Sequence, residues 1–179
     1  MTQAADVLLT KKVCMIGSFA VGKTSLVRRY VEGIFSDRYL TTVGVKIDRK
    51  RVTVGERGMN LVLWDLSGDD ELRQPRPSHL RGTSGYILVA DGCRRTTADK
   101  AATIQHRATS ISGPVPVVVA LNKADLKSEW EIGPAEIQQL GENGWPCLFT
   151  SAKSGDGIEA LFLNVAEKML AEMDDQLGK

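Results

Sequence analysis

Gly17-Ser18-Phe19-Ala20-Val21-Gly22-Lys23-Thr24 is the stretch that decides how this chain folds. It fills every fixed position of G-x-x-x-x-G-K-[ST], follows the apolar run from Val13 to Ile16, and opens a helix-like stretch from Ser25 to Glu32. A strand that ends in a tight glycine-rich turn aims successive backbone N–H groups at the N-terminus of the next helix. There the nest of donors and the helix dipole both favour bound phosphate. The expected cradle is Ser18, Phe19, Ala20, Val21, Gly22, Lys23, Thr24 and Ser25. Within it, Lys23 would add a point charge on the β- and γ-phosphates, and the Thr24 hydroxyl can ligate Mg²⁺.

Three further patterns follow in order, each at the carboxyl end of an apolar, strand-like run. Asp65-Leu66-Ser67-Gly68 closes Leu61–Leu66. Its carboxylate suits the Mg²⁺ shell, and Gly68 offers a backbone N–H that can approach a γ-phosphate without a side chain in the way. Asn122-Lys123-Ala124-Asp125 follows Val115–Leu121. A carboxylate at Asp125 accepts from both N1–H and the exocyclic amine of guanine, and would face adenine unpaired. Ser151-Ala152-Lys153 follows Cys147–Thr150 and would bring a backbone N–H near the guanine O6. Taken singly, the D-x-x-G and N-K-x-D patterns also read as ordinary strand-ending turns. Ligands of open α/β sheets bind outside the carboxyl ends of the strands, so the four loops should converge on one crevice.

With these residues in place, the chain resembles the small GTPases of the Ras superfamily, with a Rab-like pattern, from Lys11 to about Leu170. The resemblance implies a P-loop G domain. Its expected fold is α/β, a six-stranded, mostly parallel sheet with one antiparallel edge strand and helices on both faces. It also implies GTP/GDP and Mg²⁺ as ligands and hydrolysis of GTP as the reaction. Switch I would be carried by Thr42-Val43-Gly44, with Thr42 rather than Thr41 in register, its hydroxyl joining Thr24 and Asp65 around the metal. Phe35 matches the aromatic that covers the guanine and is nearly as readable as a core phenylalanine under the first helix. Tyr39 matches a residue that closes over the phosphates, and Lys123 would lay its stem along the base. The catalytic set implied is Lys23, Thr42, Gly68 and Asp69.

Four departures from the family pattern bear on turnover and partners. The position after D-x-x-G, usually a water-orienting Gln, is Asp69, followed by Asp70 and Glu71. The phosphate-loop position usually kept small for an arginine finger is Phe19. Switch II reads Arg73-Gln74-Pro75-Arg76-Pro77, where two prolines oppose a continuous helix. The aromatic triad that Rab proteins show to effectors would be Ile47, Trp64 and His79, with only Trp64 of the family type. Trp64 also reads as a plain core residue. The expectation is a slow GTP-hydrolysing switch that reports to a protein effector, an exchange factor or an activating protein. The competing reading is a nucleotide-locked binding module with negligible turnover. A P-loop kinase is a distant third, since no lid-like insertion with catalytic arginines is present. Arg38 and Arg73 are candidates for an arginine supplied in cis.

Composition sets the remaining bounds. The 179 residues suit one domain, read as 1–179 with a loose lead-in over 1–10. The net charge of +1 gives no bulk field for nucleic acid or an anionic membrane. Three cysteines without a C-x-x-C read as buried thiols in a reducing compartment. The ending Asp175-Gln176-Leu177-Gly178-Lys179 has no C-a-a-X box, and Met1-Thr2 excludes myristoylation. The expectation is thus a cytoplasmic monomer without a lipid anchor, which fits a bacterial origin. Strands are expected near 11–17, 45–54, 59–66, 84–91, 115–121 and 147–150. Helices are expected near 23–33, 97–110, 134–141 and 157–172, with a doubtful one near 70–80.

Overall fold

A computed structural model of the chain describes residues 9–38, 42–66, 68 and 74–178. Six strands are present: β1 (Leu9–Ile16), β2 (Val45–Val54), β3 (Arg57–Leu66), β4 (Gly85–Asp91), β5 (Val117–Asn122) and β6 (Cys147–Phe149). They form one sheet in the order β2-β3-β1-β4-β5-β6. Among the described residues only the β2–β3 pair is antiparallel. The helices are α1 (Lys23–Glu32), α2 (Pro77–Leu80), α3 (Arg95–Asp99), α4 (Ala101–Ser112), α5 (Pro134–Gly141) and α6 (Ile158–Leu177), with a 3-10 helix at Ala124–Glu129.

Strand alternation sorts the apolar side chains onto two faces. Val13 and Met15 of β1, Ile87 and Val89 of β4, and Val118 and Ala120 of β5 join α1 and α6 in one core layer. Cys14 and Ile16, then Tyr86, Leu88 and Ala90, then Val117, Val119 and Leu121 pack on α3, α4 and α5 in the other. Because both faces are covered, these central strands read as unbroken apolar runs. The edge strand β2 is different. Its Lys46, Arg49 and Arg51 are exposed, the charge load that discourages edge-to-edge pairing.

Three element boundaries differ from expectation. The segment 97–110 is divided at Lys100 into α3 and α4. The short α3 follows the strand end, because the Thr97 hydroxyl accepts the Asp91 N–H and donates to Arg94 O. In the doubtful 70–80 stretch a single turn forms at Pro77–Leu80, with proline at its first position, where a missing N–H costs nothing. Residues 69–73 lie outside the described part. The final helix runs on to Leu177, beyond the expected end at 172.

The chain travels from β1 out to the edge strand β2, returns antiparallel as β3 beside β1, then crosses to β4 on the other side of β1. Strand order therefore reverses beside β1, and the crevice at its carboxyl end is where ligands of such sheets bind.

Candidate functional site

At that crevice a cleft of about 380 Å³ is lined by residues from all four motif loops. Phe19, Ala20, Val21, Gly22, Lys23, Thr24 and Ser25 form one wall, Thr42 and Gly68 another, and Asn122, Lys123, Asp125, Ala152 and Lys153 a third. Phe35 lines it too, while also packing against the α1/α6 core layer. Tyr39 and Asp69 lie outside the described residues, as does Arg73.

The phosphate-loop wall is shaped by its interior contacts. Lys23 is 5% exposed, and its ammonium donates to Gly17 O and Ser18 O, both at 2.9 Å. The two bonds fold the loop around the lysine. Gly22 has φ 101°, and a Cβ there would stand 2.3 Å from Asn122 Nδ2. Only glycine meets both demands. Gly68 likewise sits against the loop, where a Cβ would fall 2.5 Å from Phe19 Cα.

Thr24, Thr42 and Asp65 meet in one cluster. Asp65 Oδ2 accepts from Thr24 Oγ1 at 2.6 Å and lies 3.0 Å from Thr42 Oγ1, and the two hydroxyl oxygens are themselves in contact. Asp65 Oδ1 is buried with no hydrogen-bond partner among the described residues. Burial raises the Asp65 carboxyl above its ordinary range, against the opposing pull of the two hydroxyls. A buried hard-oxygen set with one orphaned carboxylate oxygen matches what Mg²⁺ selects.

On the other side, loop-to-loop bonds set the base-facing wall. Asn122 is 2% exposed. Its Nδ2 donates to Val21 O, and its Oδ1 accepts from Thr150 Oγ1. Its side chain thus ties two loops together at the cleft wall. Ser18 and Ser151 stand behind the lining. Ser151 Oγ donates to Asp125 Oδ1 at 2.6 Å and so orients that carboxylate. Lys123 adopts φ 69°, its carbonyl held by Trp130 Nε1 at 2.9 Å and its ammonium by Asp91 at 2.7 Å.

Asp91, Arg94 and Trp130 escaped the sequence reading. Asp91 carries the same signal that marked Asp65, an acidic residue closing an apolar strand. Arg94 and Trp130 carried none, because no motif marks a residue that bonds a backbone carbonyl, as Arg94 does Phe19 O and Trp130 the Lys123 carbonyl.

The arrangement has counterparts. The sequence model of the Ras family matches residues 12–171, most of the chain. The chain belongs to the Ras family of small GTPases. It is 31% identical over 169 residues to the human Ras-related protein Rab-21, covering 92% of this chain and 75% of that protein. With the human Ras-related protein Rab-4B it shares 32% over 165 residues, 91% of this chain and 78% of the relative. With Rab-4 of Dictyostelium discoideum it shares 30% over 165 residues, covering 91% and 80%. A Ras-family domain is a GTPase switch in general.

The Ile47, Trp64 and His79 positions also converge. Ile47 pairs with Trp64 across β2 and β3, and the Trp64 ring lies 6.2 Å from that of His79. Lys12 sits over the indole at 3.7 Å and donates to the His79 and Arg81 carbonyls. Trp64 is half-buried, its inner edge on the α3/α4 core layer and its outer edge available. Among the described residues no helix is long and apolar enough to cross a membrane.

Proposed function

We propose that this Ras-family chain binds Mg²⁺·GTP and GDP in the cleft, hydrolyses GTP slowly, and signals through the segments around Thr42 and Gly68. The observation that carries the reading is the convergence of Thr42, Thr24 and Asp65 on one side of Lys23, with Gly68 packed on Phe19. A group that joined those elements would pull the segment before β2 and the end of β3 toward the phosphate loop. Its loss would release them, an order–disorder switch.

Each residue then has a role. The backbone from Ala20 to Ser25 and the Lys23 ammonium bind the phosphates, Asp125 reads the guanine edge, and Lys123, Phe35 and Ala152 flank the base. Thr24, Thr42 and Asp65 would hold Mg²⁺, which when bound neutralises charge on the β- and γ-phosphates. Hydrolysis adds water to the γ-phosphorus and breaks its bond to the β-phosphate oxygen, leaving GDP and inorganic phosphate. Because the transition state is loose, positioning and charge matter more than early proton removal.

Two features support a low rate. Asp69 lacks an amide with which to hold both the water and the γ-phosphate. Its carboxylate also opposes the phosphoryl charge: two unit charges about 5 Å apart at an effective dielectric near 20 repel by roughly 3 kcal/mol. Phe19, 38% exposed on the cleft wall, fills the side from which a partner's arginine would enter. The same Phe19 favours the second reading, a nucleotide-locked module without turnover. Arg38 lines the cleft and is the remaining described candidate for an arginine in cis. The surface around Trp64 is where a protein effector would be sought. Ile47 and His79 replace two family aromatics, so the partners of Rab relatives do not transfer.

The test is to identify the nucleotide that copurifies and then time single-turnover GTP cleavage with Mg²⁺. Guanine nucleotide with slow, Mg²⁺-dependent cleavage supports the switch. Equal competition by ATP sinks the guanine reading, and no cleavage over days favours the locked module.

A further inference from the structure

Asp91 closes β4 with a side chain only 1% exposed, yet it serves two distant loops. Its Oδ2 accepts from Arg94 Nε at 2.9 Å and from Lys123 Nζ at 2.7 Å. Its Oδ1 accepts the Cys93 N–H at 3.0 Å. Both oxygens of this buried carboxylate are thereby satisfied, and the two cations neutralise it. Arg94 then reaches further: its Nη2 donates to Phe19 O of the phosphate loop at 2.9 Å. One planar guanidinium holds the carboxylate with one edge and the phosphate loop with another.

The two residues that these bonds hold share a second feature. Among the described residues, Ala20 (φ 61°) and Lys123 (φ 69°) are the non-glycine residues with positive φ. That region crowds Cβ, and ordinary residues stay there only when their surroundings hold them. Lys123 is gripped at its own ammonium. Ala20 is gripped through the peptide before it. In a planar trans peptide the C=O of one residue and the N–H of the next point in opposite directions. With Phe19 O turned out to Arg94, the Ala20 N–H is turned the other way, toward the cleft that Ala20 lines.

We propose that Arg94, anchored on Asp91, is a positioning residue for nucleotide binding, a strap that holds the Phe19–Ala20 peptide and Lys123 in their ligand-ready conformations together. It is not a catalytic residue, since its side chain stays outside the cleft lining. The inference rests on the guanine-nucleotide reading above. A lysine cannot replace it in full, because one ammonium cannot hold Asp91 and Phe19 O with the spread of a guanidinium fork.

The test is release of fluorescent N-methylanthraniloyl-GDP in Mg²⁺ from wild type, Arg94→Ala and Arg94→Lys, with thermal melting of each. Losing the bond to Phe19 O, and with it the Arg94–Asp91 pair, should speed release about tenfold in Arg94→Ala. Asp91 keeps Lys123 and the Cys93 N–H, so the melting midpoint of the nucleotide-free protein should change little. Arg94→Lys should fall between that variant and wild type. Should Arg94→Ala fold poorly, Arg94→Gln, which keeps a donor without the charged fork, must still release faster than wild type. Release at the wild-type rate from a folded Arg94 variant overturns the strap alone. A wild-type protein that holds no labelled GDP overturns the guanine-nucleotide reading and the strap with it.

Discussion

Asp125 is the residue on which base selectivity turns. Ser151 Oγ donates to its Oδ1, and an asparagine oxygen would accept that bond equally well. Asp125→Asn should therefore fold normally while losing its acceptor for the guanine amine. Two mismatched hydrogen bonds should weaken GDP binding roughly a hundredfold. Xanthosine diphosphate, whose 2-keto group suits an amide donor, should gain; competition titration of the two nucleotides checks it, and unchanged GDP affinity would refute the assignment. At the phosphate end, Asp69→Gln with Phe19→Gly should raise single-turnover cleavage, whereas Asp69→Ala should change it little. A large loss in Asp69→Ala would make Asp69 catalytic. The residues behind these predictions were legible because each sits in a short contiguous pattern at a strand end. Arg94 was not, because its meaning lies in a carbonyl 75 positions earlier.

At the scale of elements, periodicity predicted the strands and the long helices well, since each strand carries one uniform demand for apolar faces. It failed where a tertiary contact decides a boundary. Thr97 bonds the end of β4 and so sets α3 apart from α4. The 3-10 helix after Lys123 depends on Trp130 closing over a left-handed residue. The segment leading into β2 yields a prediction of its own. Thr42 meets Asp65 only through its hydroxyl, so Thr42→Ala removes one side of that cluster and leaves the base wall intact. GDP affinity should change less than threefold, while the protection of residues 36–47 that a non-hydrolysable GTP analogue gives should fall by about 1–3 kcal/mol of ordering free energy. Limited proteolysis in the two nucleotide states measures this. Equal cleavage of the wild type in both states would count against a switch.

For the whole molecule, alkaline pH is the informative stress. Burial pushes the Cys14 thiol up to about 11 from an ordinary 9.0, with the Thr83 bond and Lys12 opposing. The folded chain thus holds this proton more tightly than the unfolded one. Its contribution is whole below about pH 9 and is lost as pH rises toward 11. Tyr30, raised by burial to about 12, extends the same loss upward. Denaturant midpoints should fall between pH 8 and pH 10.5, and Cys14→Ala should flatten that fall. Parallel curves for the two proteins would acquit Cys14.

The stack of Tyr30 on Phe162, rings 3.9 Å apart and nearly parallel, joins the helix that begins at Lys23 to the last helix of the chain. A polypeptide made from its N-terminus exposes the phosphate loop early and acquires that backing late. Until Ile158, Leu161, Phe162 and Val165 have left the ribosome, one face of the sheet is covered by α1 alone. Such a contact between ends closes only after the rest of the chain is in place. The nascent protein should therefore be unable to retain nucleotide until the Ile158–Leu177 helix has left the ribosome, and nucleotide capture would mark that moment.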